Sequence, residues 1–332
     1  MEINTDIIVS ICCIAYNQEK YIRQCLDSFM MQKTNFKFEV LINDDASTDG
    51  TADIIREYEQ KYPDIIKPIY QTQNQWSKGI SVGATFNYPR VKGKYIAMCE
   101  GDDYWTDQYK LQKQFDIMEA NPEYSICFHD VQVTHESKKR EDYIFPTKKI
   151  KENCSEFNFD NLLFQNFIQT NSVMYRVSSY PEFWKDIPSN IIPGDWYLHL
   201  MFASKGKIKY IKETMSVYRR NQGGVWNDIY ENFQKHVCRF CIRETNMYYQ
   251  VYKNIAKKKK EYFIKNLFPF FMSEQYYILS SKEFGLWLKY NLVHYQIYLL
   301  CFKYWYYMPM LIINTIKKLI KKFYKNIIQT KS

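Results

Sequence analysis

The feature that most constrains this chain is an alternation, over residues 7–130, of apolar strand-like runs with segments of helical period. Residues 7–14 are almost continuously apolar, which is typical of a strand covered on both faces. The next segment carries apolar side chains on one helical face, at Tyr21, Ile22, Cys25, Leu26, Phe29 and Met30. This alternation predicts an α/β fold built from βαβ units.

The same criteria give the other elements of this part of the chain. Strands are predicted at 38–42, 65–70, 95–99 and 125–128, and helices at 51–62 and around Leu111, Phe115 and Met118. Residues 131–160 are polar and rich in charge, so they are predicted to be an insertion or a mobile loop. A helix at 195–203 and two strands, at 208–211 and 215–218, are expected after it.

The first candidate functional motif is Asn-Asp-Asp-Ala-Ser-Thr-Asp-Gly-Thr at 43–51, where a strand gives way to a helix. Ligands of open α/β sheets bind beyond the carboxyl ends of the strands, so these polar side chains are placed to contact a nucleotide. An ordinary turn followed by a helix cap at Ser47 or Thr48 explains the same residues. This segment alone leaves both interpretations open.

The second motif is Glu100-Gly101-Asp102-Asp103, directly after a predicted strand. Three carboxylates within four residues repel one another unless a cation or a strong set of donors is present. Oxygen ligands suit Mg²⁺ or Mn²⁺, which reach proteins through one or two carboxylates while holding phosphates. A solvated acidic turn is the alternative, but the buried strand before the motif and the Tyr104-Trp105 pair after it favour a metal site.

The third motif, Pro-Gly-Asp-Trp at 193–196, delivers Asp195 to the start of a helix. A helix cap is the simplest explanation of Asp195 taken alone. The carboxylate is also a candidate general base, because Asp commonly accepts the proton of an attacking hydroxyl, and this interpretation rests on the other two motifs.

Together, these segments resemble the family-two glycosyltransferases of the GT-A fold, of the inverting, bacterial surface-polysaccharide type. The resemblance is carried by Ile-Ala-Tyr-Asn at 14–17, the 43–51 motif, Gly-Lys-Tyr-Ile-Ala at 93–97, Glu-Gly-Asp-Asp-Tyr-Trp at 100–105 and Gly-Asp-Trp at 194–196. It covers about residues 6–226. It implies a Rossmann-like, mostly parallel sheet with flanking helices, and transfer of a sugar from a nucleotide diphosphate donor, UDP by family expectation, to an acceptor hydroxyl.

The resemblance also implies roles for individual residues. Asp45 would accept a hydrogen bond from the imide of a uracil-like base, and Asp195 would be the general base. Asp102 would hold the ribose and, with Asp103, a Mn²⁺ or Mg²⁺ ion that bridges the two phosphates, with Glu100 as an outer member. The donor pocket would also include Ala15, Tyr16, Asn17 and Asp44.

One segment departs from the family pattern. Relatives often carry a His where Asn221 stands, on a loop that closes over the diphosphate. Because Asn is a weaker metal ligand and cannot become cationic, Arg219 or Arg220 is expected to contact the diphosphate instead.

The charge distribution predicts a second region. We place a catalytic domain at 1–226 and a helical tail at 227–332. The chain has a formal net charge of +9, and after Glu283 it has eight lysines and no acidic residue. Apolar residues at helical spacing from Ile312 to Ile327 alternate with lysines, which is typical of a helix in an anionic membrane interface. A helix packed on the catalytic domain with a solvated lysine face is the alternative.

The rest of the composition bears on the cellular location and on the class of protein. Nine irregularly spaced cysteines and no signal-peptide pattern predict a reduced, cytoplasmic protein, peripheral at the inner face of the cell membrane. Cys238 and Cys241 have the spacing of a metal knuckle but no second pair. The expected partners are a nucleotide-sugar donor and a glycan or lipid-linked sugar acceptor, without nucleic acid. A nucleotidyltransferase is disfavoured because no glycine-rich loop follows the first strand; a non-catalytic nucleotide-sugar binder or membrane-surface scaffold is the alternative function.

Overall fold

The computed structural model describes residues 7–137, 140–146, 150, 155–188, 191, 193–221, 246–256 and 260. The chain divides into two compact units. The first comprises residues within 1–191 and 198–224, and the second comprises residues within 192–197 and 225–332.

A ten-stranded sheet forms the centre of the first unit. Its strands are β1 (Ile7–Ala15), β2 (Lys37–Asp44), β3 (Ile66–Tyr70), β4 (Tyr95–Met98), β5 (Tyr104–Trp105), β6 (Tyr124–His135), β7 (Tyr143–Phe145), β8 (Glu156–Phe157), β9 (Met174–Arg176) and β10 (Lys207–Arg220). The helices are α1 (Ile22–Met30), α2 (Thr51–Lys61), α3 (Lys110–Ala120), α4 (Phe159–Phe164) and α5 (Gly194–Ala203), the last of which extends across both units.

The strand order is β3-β2-β1-β4-β9-β6-β10-β5, with β7 paired to β6 and β8 paired to β10. The longest pairings, β1 with β2 and β6 with β10, are parallel, as are β1 with β4 and β2 with β3. The short strand β9 runs antiparallel between β4 and β6. This is the predicted Rossmann-like GT-A arrangement.

The core of this unit lies between the sheet and the first three helices. Alternate residues of β1 and β2 point to this face and pack on apolar side chains of α1 and α2: Val9, Ile11, Cys13, Val40, Ile42, Ile22, Leu26, Phe29 and Ile55, all at most 1% exposed. Burying each large apolar side chain contributes about 1.5–3 kcal/mol. The hydrophobic pattern that predicted the elements is therefore the one that holds them together.

Gly93 permits a close approach at the start of β4. A Cβ atom at this position would lie 2.5 Å from the Ser10 backbone nitrogen, closer than any real side chain allows. The Gly93 N–H donates to Ser10 Oγ at 2.9 Å. The glycine of the 93–97 motif is therefore needed to bring β4 alongside β1.

The prediction of a loop over 131–160 is wrong. Strand β6 continues to His135, and β7, β8 and α4 also begin within this range. Polar side chains of this range have partners in the fold, since Glu136 accepts a hydrogen bond from the Tyr21 hydroxyl at 2.7 Å and Asp142 accepts from the His135 backbone N–H at 2.9 Å. The two strands predicted at 208–211 and 215–218 are one strand, β10, whose register shifts between Ile211 and Ser216.

In the second unit, residues 246–254 are helical, and Tyr248 packs edge-on against Trp196 at 5.5 Å. No helix among the residues described is long and apolar enough to cross a membrane. The predicted domain boundary at 226, the lysine-rich segment and the Cys238–Cys241 pair lie outside the described residues. The five cysteines in the described part, Cys12, Cys13, Cys25, Cys99 and Cys127, are free thiols and buried.

Candidate active site

The predicted segments at 14–17, 43–51 and 100–105 meet at one edge of the sheet. Strands β1, β2 and β4 are parallel neighbours, so their carboxyl ends lie together, and β1 stands where the strand order reverses. The Asp45 N–H donates to the Ala15 carbonyl at 2.9 Å, and the Gly101 N–H donates to the Ile14 carbonyl at 3.0 Å. The fold therefore joins segments that are about 30 and 90 residues apart in the sequence.

Residues 100–103, which follow β4 and are called the acidic loop below, carry three carboxylates that lie close together. One oxygen from each of Glu100, Asp102 and Asp103 lies within 4.8 Å of the others. Asp103 is buried, Asp102 is partly buried and Glu100 is exposed, so the cluster extends from the protein interior to the surface. A Cβ at Gly101 would overlap Gln18 Oε1 and lie 2.9 Å from Ile22 Cδ1, so a larger residue here would have to displace these two side chains.

Neutral donors surround the two inner carboxylates. Asp103 accepts from the Asn171 side-chain amide at 3.1 Å and from the Arg219 backbone N–H at 2.9 Å. Asp102 accepts from the Asn221 side-chain amide at 2.7 Å. Among the described residues, neither carboxylate forms an ion pair with a Lys or Arg side chain. The Arg219 guanidinium offsets part of the Asp102 charge, since it lowers the pKa of that carboxyl, and a further cation would balance the charge that remains.

Burial makes this charge unfavourable in the unliganded protein. It raises the pKa of Asp103 well above its ordinary value, and the neighbouring Asp102 carboxylate raises it further. Burial also raises the pKa of Asp102, against the Asn221 amide donor, which lowers it. A divalent cation removes this penalty, and three clustered carboxylates are the oxygen donors that Mn²⁺ and Mg²⁺ prefer. The loop fits the predicted metal site.

Asp45 lies beside this loop, and both of its carboxylate oxygens are engaged. Oδ1 accepts from the Gln75 backbone N–H at 2.7 Å, and Oδ2 accepts from the Trp76 backbone N–H at 3.0 Å. Asp45 thus fixes the turn that carries Trp76, which is 53% exposed, while Tyr16 at the end of β1 is 45% exposed. The Asp45 carboxylate and two exposed aromatic rings occupy the same edge. That Asp45 accepts a hydrogen bond from a base imide stays a prediction.

Asn17 and Asp44 shape the connections at this edge. Asn17 has a positive φ of 51° and ties β1 to the next motif, because its N–H donates to Ser47 Oγ at 2.9 Å and its Oδ1 accepts from the Thr48 N–H at 2.8 Å. Asp44 is buried, accepts from the Ser47 N–H at 3.3 Å, and has a pKa raised by burial. Ala15 is buried and supports the neighbouring loop through its carbonyl.

Arg219 is held against the acidic loop. Its guanidinium donates to the Asp102 backbone carbonyl at 2.5 Å and to the Gln24 side chain, and it lies over the Tyr104 ring at 4.3 Å and the Tyr21 ring at 5.2 Å. This clamp was not predicted from the sequence. Arg220 follows at the end of β10, with its guanidinium 5.7 Å from the Tyr218 ring.

Asp195 belongs to the second unit, in the first turn of α5. Its Oδ1 accepts a hydrogen bond from the next backbone N–H, that of Trp196, at 2.8 Å. Its assignment as the general base stays a prediction.

Two contributors to the site escaped the sequence analysis, Asn171 and Gln24. Asn171 lies in a polar Gln-Thr-Asn-Ser segment with no motif to mark it, and its partner Asp103 precedes it by 68 residues. Gln24 lies on the exposed face of α1, where a polar residue is unremarkable. Only the three-dimensional fold connects these residues to the acidic loop.

The family assignment follows from comparison with known proteins. The model of glycosyl transferase family 2 matches residues 10–184, just over half of the 332-residue chain. The chain belongs to this family.

Relatives known by sequence cover part of the chain. An uncharacterized protein of Mycobacterium tuberculosis is 46% identical over 229 residues, which is 68% of this chain and 63% of that protein. This chain therefore spans somewhat less than two thirds of that relative's length. The Escherichia coli UDP-Glc:alpha-D-GlcNAc-diphosphoundecaprenol beta-1,3-glucosyltransferase WfaP is 35% identical over 113 residues, or 34% of this chain and 42% of that protein.

Among solved structures, the mannosyltransferase PcManGT from Pyrobaculum calidifontis, in complex with GDP-Man and Mn²⁺, superimposes with a TM-score of 0.52. The alignment covers 96% of this chain and 87% of that one at 13% identity. At this level of identity the likeness shows the shared fold.

Proposed function

We propose that this chain is an inverting glycosyltransferase that moves a sugar from a UDP-linked donor to an acceptor hydroxyl, in the synthesis of a cell-surface polysaccharide or glycolipid. The observation that carries the proposal is the Glu100, Asp102 and Asp103 cluster, partly buried at the edge where the parallel strands of a family-two fold end. The catalytic domain is 1–226 and the helical tail is 227–332.

The donor binds across the carboxyl ends of β1, β2 and β4. Tyr16 stacks on the base, Asp45 accepts its imide hydrogen, and Ala15, Asn17 and Asp44 form the floor of the pocket. Asp102 holds the ribose. Exposed Tyr16 and the fixed Trp76 turn support a flat, aromatic ligand at this position.

Asp102 and Asp103, with Glu100 outermost, hold Mn²⁺ or Mg²⁺. A divalent cation bound there offsets the negative charge that develops on the departing nucleotide diphosphate. Arg220 contacts the diphosphate, while Arg219 holds the acidic loop. The Mn²⁺ in the complex of the Pyrobaculum mannosyltransferase supports this assignment by likeness of fold alone.

Asp195 removes the proton of the attacking hydroxyl. Attack comes from the face opposite the departing group, so the anomeric carbon is inverted. The acceptor is a glycan or a lipid-linked sugar, as the diphosphoundecaprenol in the name of WfaP suggests. The lysine-rich tail would place the enzyme at the inner face of the cell membrane, where such an acceptor resides.

The test is a screen of donor turnover. Purified protein is incubated with Mn²⁺ and UDP-, GDP- and dTDP-sugars, and both binding of the donor and release of the nucleotide diphosphate are measured for wild type, Asp103→Ala, Asp195→Ala and the control Asp64→Ala, an exposed carboxylate before β3. We expect Asp103→Ala to lose metal-dependent donor binding, and Asp195→Ala to bind donor normally without transferring it. Equal turnover by all four proteins would overturn the assignment, and donor binding without turnover by wild type would favour the non-catalytic binder.

A further inference from the structure

Asn171 is fully buried in the turn that precedes β9, and it makes four hydrogen bonds to three other segments. Its Nδ2 donates to Asp103 Oδ2 at 3.1 Å and to the Val217 carbonyl at 2.9 Å. Its Oδ1 accepts from Ser216 Oγ at 3.1 Å, and its backbone carbonyl accepts from Trp105 Nε1 at 2.9 Å. Asn171 thus connects the acidic loop, β5 and β10.

These partners permit only one orientation of the amide. Both groups near Nδ2, a carboxylate oxygen and a backbone carbonyl, are acceptors, and an NH₂ group has two hydrogens to match them. On the other side, the Ser216 hydroxyl can donate to Oδ1. Rotating the amide by 180° would place an oxygen against two acceptors, so the side chain is locked with its donor toward Asp103.

The Asp103 carboxylate is held at both oxygens. Asn171 donates to Oδ2, and the Arg219 backbone N–H donates to Oδ1 at 2.9 Å. The plane of the carboxylate is therefore set by two donors from different segments. The lone pairs that remain on each oxygen have a fixed direction.

We propose that Asn171 is a positioning residue, which orients Asp103 so that its remaining lone pairs point to the divalent cation. The inference rests on the proposed function, because that function places the cation at Asp103. Groups that hydrogen-bond to metal ligands orient them, and their loss typically weakens metal binding by about 10- to 100-fold.

A purely structural role for Asn171 is the competing explanation, since its bonds to Val217 and Ser216 also join the turn to β10. The two roles differ in one measurable respect. A structural role lowers stability without changing the affinity of the folded protein for metal. A positioning role changes that affinity, and only while Asp103 is present.

The experiment measures Mn²⁺ binding in the presence of UDP by the loss of the free-ion electron paramagnetic resonance signal, corrected by a protein-free titration for the Mn²⁺ that UDP itself binds, together with thermal unfolding. The proteins are wild type, Asn171→Leu, Asp103→Ala, the double variant and the control Ser172→Ala. Ser172 is a buried neighbour in the same turn, and its hydroxyl bonds the Gln169 carbonyl without touching Asp103.

We expect Asn171→Leu to raise the Kd for Mn²⁺ at least about 10-fold. Ser172→Ala should stay within two-fold of wild type, on the order of experimental error. In the Asp103→Ala background, Asn171→Leu should change nothing further. If Asn171→Leu loses its cooperative unfolding transition, Asn171→Thr replaces it, because the threonine side chain is too short to reach Asp103. The same rise in the Kd for Mn²⁺ is then expected of Asn171→Thr.

The outcomes separate this inference from the proposed function. Wild-type Mn²⁺ affinity in Asn171→Leu, with binding lost in Asp103→Ala, overturns the role of Asn171 alone. Wild-type affinity in Asp103→Ala overturns the proposed metal site and this inference with it.

Discussion

Arg219 offers the sharpest test of how the acidic loop is held. Its guanidinium bridges the Asp102 carbonyl and Gln24 while lying between two tyrosine rings, 4.3 Å from Tyr104 and 5.2 Å from Tyr21. Arg219→Ala removes all of these contacts. Arg219→Lys keeps the charge but cannot reach both acceptors and both rings with a single ammonium group.

The loss of stability that each Arg219 substitution causes follows from the energies of these contacts. A hydrogen bond from a charged donor contributes about 1.5–3 kcal/mol, and the lower end applies to this half-buried group. Each cation–ring contact adds about 0.5–1 kcal/mol at partly exposed sites. Counting the hydrogen bond to the Asp102 carbonyl and the two ring contacts, but not the bond to exposed Gln24, the loss for Arg219→Ala is about 3 kcal/mol, and the loss for Arg219→Lys is about 1–2 kcal/mol. For a unit of this size, these losses lower Tm by roughly 6–12 °C and 2–8 °C, respectively.

The assay is thermal unfolding of the full chain without metal, followed by UDP titration in the presence of Mn²⁺. Arg23→Ala is the control, because Arg23 forms an exposed ion pair with Glu57 and its loss should change Tm little. If Arg219→Lys unfolded within about 1 °C of wild type but bound UDP more than tenfold more weakly, Arg219 would be a phosphate ligand and not a clamp of the loop.

Three further predictions concern buried ionisable groups. Since burial raises the pKa values of Asp102 and Asp103, protons compete with the cation, so Mn²⁺ affinity measured by titration calorimetry should rise as the pH increases above the ordinary carboxyl range; a flat profile would contradict this. Asp45→Asn offers one acceptor to the two backbone donors that Asp45 now binds, so it should lower stability by about 1–3 kcal/mol and weaken UDP binding, and unchanged values for both would refute its anchoring of the Trp76 turn. Burial lowers the pKa of Lys110 to about 7, so above that pH the unfolded chain holds a proton that the folded chain lacks. In denaturant unfolding, the stability of wild type should therefore rise relative to that of Lys110→Met by up to about 1.4 kcal/mol per pH unit above about pH 7, and parallel pH profiles of the two proteins would contradict this.

The first half of the sheet was predictable because its hydrophobic pattern is local. The apolar run of β1 and the helical face of α1 each specify their element within ten residues, and the structure places them at Ile7–Ala15 and Ile22–Met30. Sequence order along βαβ units also fixes which strand ends lie together. The resemblance to family-two glycosyltransferases implied that the two acidic motifs serve one site, and the strand order agrees with this.

The region after residue 130 was not predictable in this way. Glu136 and Asp142 look like loop residues, and their partners are the distant Tyr21 hydroxyl and the His135 backbone N–H. The extension of β6 depends on β10, with which it forms a long parallel pairing from a segment about 80 residues later. Polar residues satisfied by tertiary contacts leave no periodic pattern to detect.

The residues of the site also differ in whether the sequence could identify them. Asp102 and Asp103 were identifiable from the sequence because the two carboxylates are adjacent. Asn171 was not, because its role depends on a contact with Asp103 that only the fold creates. The clamp by Arg219 was missed for a similar reason. Its backbone N–H and its guanidinium serve different partners in the acidic loop, and a sequence does not reveal such a division.

The most direct test of the account is whether a cation held by the acidic loop touches the diphosphate. Electron–nuclear double resonance detects ³¹P nuclei that are coordinated to Mn²⁺ through oxygen, and it is recorded on protein freed of unbound Mn²⁺ and UDP by gel filtration, because UDP also binds Mn²⁺ in solution. We expect ³¹P coupling in wild type and in Asp64→Ala, and its loss in Asp103→Ala. Mn²⁺ bound without ³¹P coupling, or coupling that survives the removal of Asp103, would contradict the central claim.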